Sequence, residues 1–280
     1  MKQIVFFILP LMLAPLFVEA QSIPKWKKWE VLADTAFARE DFKAAVKNYS
    51  KAIKVSKLKE REDYALLYKR AIAYLNVGYP DKALNDIIVF IEQFPLAYQA
   101  YLLKAYLQLN LDMTEEALLT LDKALEFNPD NPDVIKWKAE ILLTNSDARP
   151  TITSLLSLPK QYRDPQTEVM LGMAYYQLDE NDSALYYFNQ SLRMDPFYYP
   201  ALMYTATIYL NESRYDLALD FIDKALLIDN SDPTLYFYKG AILAERNELD
   251  EACRLLNRAF YNGIDDAGDY LKQFCFNEGK

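Results

Sequence analysis

The chain has 280 residues, with 31 Lys and Arg against 40 Asp and Glu, a formal net charge of −9. That balance, with no basic stripe, excludes an ordinary nucleic-acid-binding face. Histidine is absent, which removes Ser-His-Asp and Cys-His catalysis, imidazole metal sites and imidazole pH switching.

Residues 1–20 read as a secretory signal. Lys2 gives a positive start, Ile4 to Phe17 is apolar, and Val18-Glu19-Ala20 offers small residues before Gln21. The alternative is an uncleaved anchor, but the apolar run is shorter than the ~18–20 residues a spanning helix needs. The expectation is an exported chain, in the periplasm or peripheral at an outer membrane. No cysteine follows the cleavage point to carry a lipid.

Beyond residue 20 small residues recur. Ala33, Ala71, Ala105, Ala139, Gly172, Ala206 and Gly240 are separated by 38, 34, 34, 33, 34 and 34 positions. Ala45, Ala83, Ala117, Ala184, Ala218 and Ala252 form a second ladder, with Thr151 on its skipped rung. A fixed period in this range marks one supersecondary unit repeated along the chain. Within each unit two helices are expected. Leu67, Ala71 and Tyr74 share one face, Gly78 and Pro80 mark a turn, and Ala83, Ile87, Phe90 and Ile91 continue the period until Pro95. Small residues belong where the two helices come closest, because packed interiors tolerate little added volume. The unbroken apolar run Ile87 to Ile91 is too apolar for a helix with a polar outer face. Burial is the favoured explanation, and a partner contact is the other.

The period, the paired small residues, Trp29 in the first repeat and the closing Pro95, Pro129 and Pro196 together resemble the tetratricopeptide repeat (TPR) family. The resemblance implies an all-α, right-handed α-solenoid of about seven helix-turn-helix repeats plus a C-terminal capping helix. The repeats fall near 26–59, 64–97, 98–131, 132–164, 165–198, 199–232 and 233–264, making a solenoid of 21–264, with a capping helix and tail at 265–280. The fourth repeat is degenerate: Arg149-Pro150-Thr151 replaces the normal start of its second helix, so that helix should be short. The four extra residues of the first interval fall in the charged stretch Lys57 to Glu62, expected as an exposed loop. The pattern Ala252-Cys253, Ala259, Gly263, Ala267, Leu271, Cys275 is also similar to the ends of exported bacterial repeat proteins of TPR and Sel1-like type.

The chain has two cysteines, Cys253 and Cys275. If Gly263 turns an antiparallel helix pair, the two lie at heights differing by about 3 Å, close enough for a bond. A disulfide and two buried thiols both fit. Neither spacing nor residue types form a metal site, and no catalytic residues or cofactor are assigned. The pairs Glu115-Glu116 and Asp265-Asp266 sit where helices begin, which the helix dipole explains.

By the family resemblance, the first helix of each repeat lines a concave groove. Its lining comprises Tyr68, Leu102, Met203 and Phe237, then Ile72, Tyr106 and Met173, and toward the helix ends Asn76, Asn110, Gln177 and Asn211. Amides in a row can hydrogen-bond a peptide backbone; near a helix end they also simply cap the turn. Lys136, which takes the Tyr68 position in the fourth repeat, is the only basic residue along the groove rows, so an acidic tail is a poor ligand and an apolar or aromatic segment a better one. The reading is a non-catalytic, protein- or peptide-binding scaffold or adaptor of the cell envelope. Alternatives are an envelope carbohydrate- or peptidoglycan-acting enzyme using a groove carboxylate such as Glu30 or Glu140, or a self-associating structural spacer.

Overall fold

The computed structural model describes residues 24–276; the stretch assigned to a signal lies outside the described residues. The chain divides into two units at Leu111. The first holds α1 (Lys27–Ala38), α2 (Phe42–Ser56), α3 (Ala65–Val77), α4 (Pro80–Gln93) and α5 (Tyr98–Leu109). The second holds α6 (Thr114–Phe127), α7 (Pro132–Thr144), α8 (Ala148–Ser157), α9 (Pro165–Gln177), α10 (Asn181–Met194), α11 (Tyr199–Asn211), α12 (Tyr215–Ile228), α13 (Pro233–Glu245), α14 (Leu249–Tyr261) and α15 (Asp266–Tyr270). No strand occurs among the described residues. The fold is an all-α solenoid of helical repeats. No described helix is long and apolar enough to cross a membrane.

Both ladders of small residues are buried. Ala33, Ala45, Ala71, Ala83, Ala139, Ala184, Ala206, Ala218 and Ala252 are all 0% exposed. Thr151 occupies its rung equally buried, because its hydroxyl donates to the Asp147 carbonyl (2.9 Å) instead of seeking water. Sixteen residues beyond the first ladder stands a large side chain: Ile87, Leu155, Phe188, Ile222 and Leu256, each fully buried. Small residues let the backbones approach, and these large ones fill the space beside each approach.

The turns inside the helix pairs keep the same register. Glu40, Gly78, Asp112, Ser146, Asp179, Ser213 and Asn247 all have a left-handed backbone, with φ between 56° and 85°. After several of them the next N–H donates to a carbonyl five residues back, as Tyr79 does to Tyr74, Glu180 to Tyr175 and Glu248 to Leu243. This closure satisfies the last carbonyls of the first helix and reverses the chain. Helix starts are equally local. Pro80, Pro132, Pro165 and Pro233 open their helices, and the side chains of Asn131, Asp164 and Asp232 accept first-turn N–H groups.

The irregular stretches have physical causes. The Lys57–Glu62 stretch begins with left-handed Lys57 and Leu58 and leads into a 3₁₀ turn, Arg61–Tyr64. Arg61 anchors it by donating to the Gln93 carbonyl (3.0 Å). In the fourth repeat α8 has only ten residues, and Arg163 donates to the carbonyls of Leu158 and Leu156 at its end. The apolar run on α4 corrects the expectation of burial. Ile87 is buried, but Ile88 and Val89 are 39% and 38% exposed, because a helical period turns part of any five-residue run outward.

The last elements close the second unit. α15 continues into a π-helical turn, Leu271–Cys275. Ala267 and Leu271 are buried against α13 and α14, with Phe274 and Cys275 partly buried beside them. Cys253 on α14 and Cys275 form a disulfide, with Cα atoms 5.8 Å apart.

Candidate functional site

None of the groove residues named from sequence is buried, in contrast to the ladders beside them on the same helices. In the first unit Tyr68, Ile72 and Asn76 lie on α3, and Leu102, Tyr106 and Asn110 on α5. Tyr68 packs against Phe90 with ring centroids 5.2 Å apart, while Tyr106 is 47% exposed. In the second unit Met173 and Gln177 lie on α9, Met203 and Asn211 on α11, and Phe237 on α13. Met173 and Met203 pack against buried clusters. Their flexible side chains fill core space as much as they face outward.

The amides are already engaged through their nitrogens. Asn76 donates to the Ile72 carbonyl and Asn110 to the Tyr106 carbonyl, both at 2.8 Å; each ties off its own helix. Gln177 instead donates to the Leu143 carbonyl in the preceding repeat (3.1 Å), and Asn211 to the Tyr176 hydroxyl (3.2 Å). The amide row is therefore a set of fastenings, each spending one N–H and leaving the oxygen and the other N–H to a ligand.

Two of the charged groups named from sequence, Lys136 and Glu30, are paired. Lys136 is bound to Asp164 (2.6 Å). Glu30 is buried and held by Lys27 and Lys69. Burial alone would raise its carboxyl, but the bonds from Lys27 and Lys69 outweigh that and hold it below its ordinary value. Lys69 also reaches Asp34 (2.9 Å), which accepts from the Tyr49 hydroxyl (2.6 Å). This network ties α1, α2 and α3 together, and it engages the carboxylate on which a Glu30-based reaction would rely.

Two of the named residues, Asn211 and Phe237, meet in a cleft of about 280 Å³. α11 contributes Thr207, Leu210 and Asn211, α12 contributes Tyr215, and α13 contributes Phe237, Tyr238, Ala241, Ile242 and Glu245. Tyr270 of α15 closes it. Phe237 and Tyr270 meet edge to face, with centroids 5.5 Å apart, and Tyr238 lies 5.7 Å from Phe237. Such ring pairs hold one another in fixed orientation. Burial raises the Tyr238 hydroxyl above its ordinary value, and Asp232 and Tyr176 add to the effect, so it stays protonated at neutral pH. Thr207 donates to the Met203 carbonyl (2.9 Å).

Sequence reasoning missed Tyr215, Tyr238 and Tyr270. The period gave a signal for one: Tyr238 stands 34 positions after Tyr204, whose ring stacks on Phe188. Tyr270 belongs to the irregular end and answers to no repeat position.

Residues 68–132 and 169–233 match the tetratricopeptide repeat profile. The chain is 23% identical over 233 residues to the Hsp70-Hsp90 organizing protein of Triticum aestivum, covering 78% of this chain and 38% of that one. It thus spans about two fifths of that relative's length. Among solved structures it is similar to the C-terminal part of a TPR repeat-containing protein from Cytophaga hutchinsonii, with a TM-score of 0.70 at 15% identity, covering 88% and 99% of the two chains. It also resembles YrrB, a TPR protein with an unusual peptide-binding site, with a TM-score of 0.53 at 18% identity, covering 67% and 97%. With buried small-residue ladders, left-handed turns in register and a profile match over residues 68–132 and 169–233, the chain carries tetratricopeptide repeats.

Proposed function

We propose that this chain is a non-catalytic scaffold that holds a segment of another protein against the first helices of its repeats, apolar or aromatic side chains leading. The observation that carries the reading is the cleft floored by Phe237 and walled by Tyr215, Tyr238 and Tyr270. Its volume suits one large side chain, and its rings offer wide contact at little entropic cost. The family supports it: YrrB is described by its peptide-binding site, and the wheat relative is named as an organizer of two other proteins. We place the scaffold outside the cytoplasm, in the periplasm or on the periphery of an outer membrane, on the strength of Lys2 and the apolar run that follows.

Photocrosslinking in envelope extract tests this. A photoreactive residue replaces Tyr215 at the cleft in one variant and Tyr186, which is 58% exposed, in another. The expected result is a discrete adduct from position 215 that is absent from position 186 and lost on adding Phe237→Ala. Equal labelling from both positions, or no adduct from 215, overturns the reading.

A further inference from the structure

The cleft is lined by aromatic rings, three tyrosine hydroxyls and the polar side chains of Thr207, Asn211 and Glu245, without a lysine or arginine. Glu245 in ionised form only accepts. Asn211 has one N–H committed to the Tyr176 hydroxyl, so its oxygen and its second N–H remain for a ligand. Thr207 has its proton committed to the Met203 carbonyl, which leaves its lone pairs. The nearby cation is spent, since Arg246 is bound to Asp216 (2.6 Å). Among the described residues no lysine or arginine pairs with Glu245. The surroundings reinforce this. Residues 112–280 carry 15 Lys and Arg against 29 Asp and Glu, so this unit's field attracts cations.

From this inventory we infer that the cleft takes an arginine side chain of the bound segment. A guanidinium brings five donors and no acceptor, the complement of what Glu245, Asn211 and Thr207 present. Its flat faces stack on aromatic rings, which Phe237, Tyr238 and Tyr270 supply. Its three methylenes suit the apolar lining of Leu210, Ala241 and Ile242. The inference rests on the scaffold reading and amends it at this one place: within a segment that is otherwise apolar or aromatic, the side chain that enters this cleft is an arginine. It also reverses the charge logic of a groove that grips an acidic tail.

Titration calorimetry at low ionic strength with three capped peptides tests it. The probes are Ala-Leu-Arg-Leu-Ala, the same peptide with citrulline for arginine, and the same with leucine. Citrulline keeps the shape and removes the charge. The arginine peptide is expected to bind at least about tenfold more tightly than the citrulline one, and Glu245→Gln is expected to erase that margin while leaving the thermal melt unchanged. Equal binding of all three peptides overturns the arginine assignment and leaves the scaffold reading standing. An arginine preference that persists in Glu245→Gln also overturns it, placing the contact elsewhere. If no peptide binds and position 215 gives no crosslink, both readings fall.

Discussion

Gly172 of α9 faces the ring of Phe188 on α10 so closely that a methyl group on the glycine would stand 2.6 Å from Cδ1 and nearer still to Cε1. Phe188 is fully buried and stacks on Tyr204 with centroids 5.4 Å apart, so it has nowhere to retreat. Gly172→Ala should therefore destabilise by about 1–2 kcal/mol, overpacking outweighing the gain in helix propensity. Urea denaturation measures it; an unchanged or higher midpoint refutes this packing.

Gly78 is constrained by its backbone instead. Its φ is +85° and an added methyl group would meet nothing within 4 Å. Gly78→Ala should cost about 1 kcal/mol through the left-handed conformation alone. Gly78→Asn should cost less, because asparagine adopts that conformation more readily and Asn247 holds the equivalent turn at φ 64°. Thermal melts of the pair check the order, and equal losses would point away from conformational strain.

Lys69→Met should destabilise by about 1–2 kcal/mol, a figure reduced for the partial exposure of the lysine. It strips a partner from buried Glu30 and from Asp34. The pH dependence has a definite sign. Glu30 and Asp164 are held below their ordinary values in the folded chain, so their stabilisation is present above those ordinary values and disappears as pH falls through the lowered ones. Acid titration of the folded fraction should show a shallower loss in Lys69→Met than in the parent. An identical acid slope contradicts the assignment.

Glu168 behaves in the opposite sense. It is buried at the position where Trp29 stands in the first repeat. Burial raises its carboxyl above the ordinary value; Arg163 and Lys160 oppose the shift and Asp164 assists it. An acid raised in the folded state loses stability as pH rises from its ordinary value through the raised one. Glu168→Gln should thus be more stable than the parent at neutral pH, with the difference closing in acid. A less stable variant at neutral pH would show that the carboxylate is held favourably after all.

Cys253→Ser removes the bond across a sequence separation of 22 residues. The expected loss is about 2–4 kcal/mol. Limited proteolysis should cut the variant after Asn262 and spare the oxidised parent. Equal resistance would mean that Ala267 and Leu271 alone hold the cap.

What sequence disclosed follows from what repeats. The ladders and the charged loop at 57–62 rest on spacing, which survives because each crossing makes the same steric demand; the short α8 showed instead through Arg149-Pro150-Thr151 at its start. The run at Ile87–Ile91 misled because composition does not say which way each side chain turns; Ile88 and Val89 emerge on the surface. The cleft was half legible. Phe237 and Asn211 sit at repeat positions, but Tyr270 comes from the cap, where no period operates. The amides were visible as a row, but not that their nitrogens reach Tyr176, Leu143 or their own helix.

Within each unit, the helices that pack substantially are neighbours in the chain or stand one element apart. A fold wired this way waits for no distant segment. Each hairpin emerging from a ribosome already has the surface it docks on, so synthesis and assembly can proceed together. The same wiring confines damage: a lesion in one hairpin loosens the two beside it, and its effect fades beyond them.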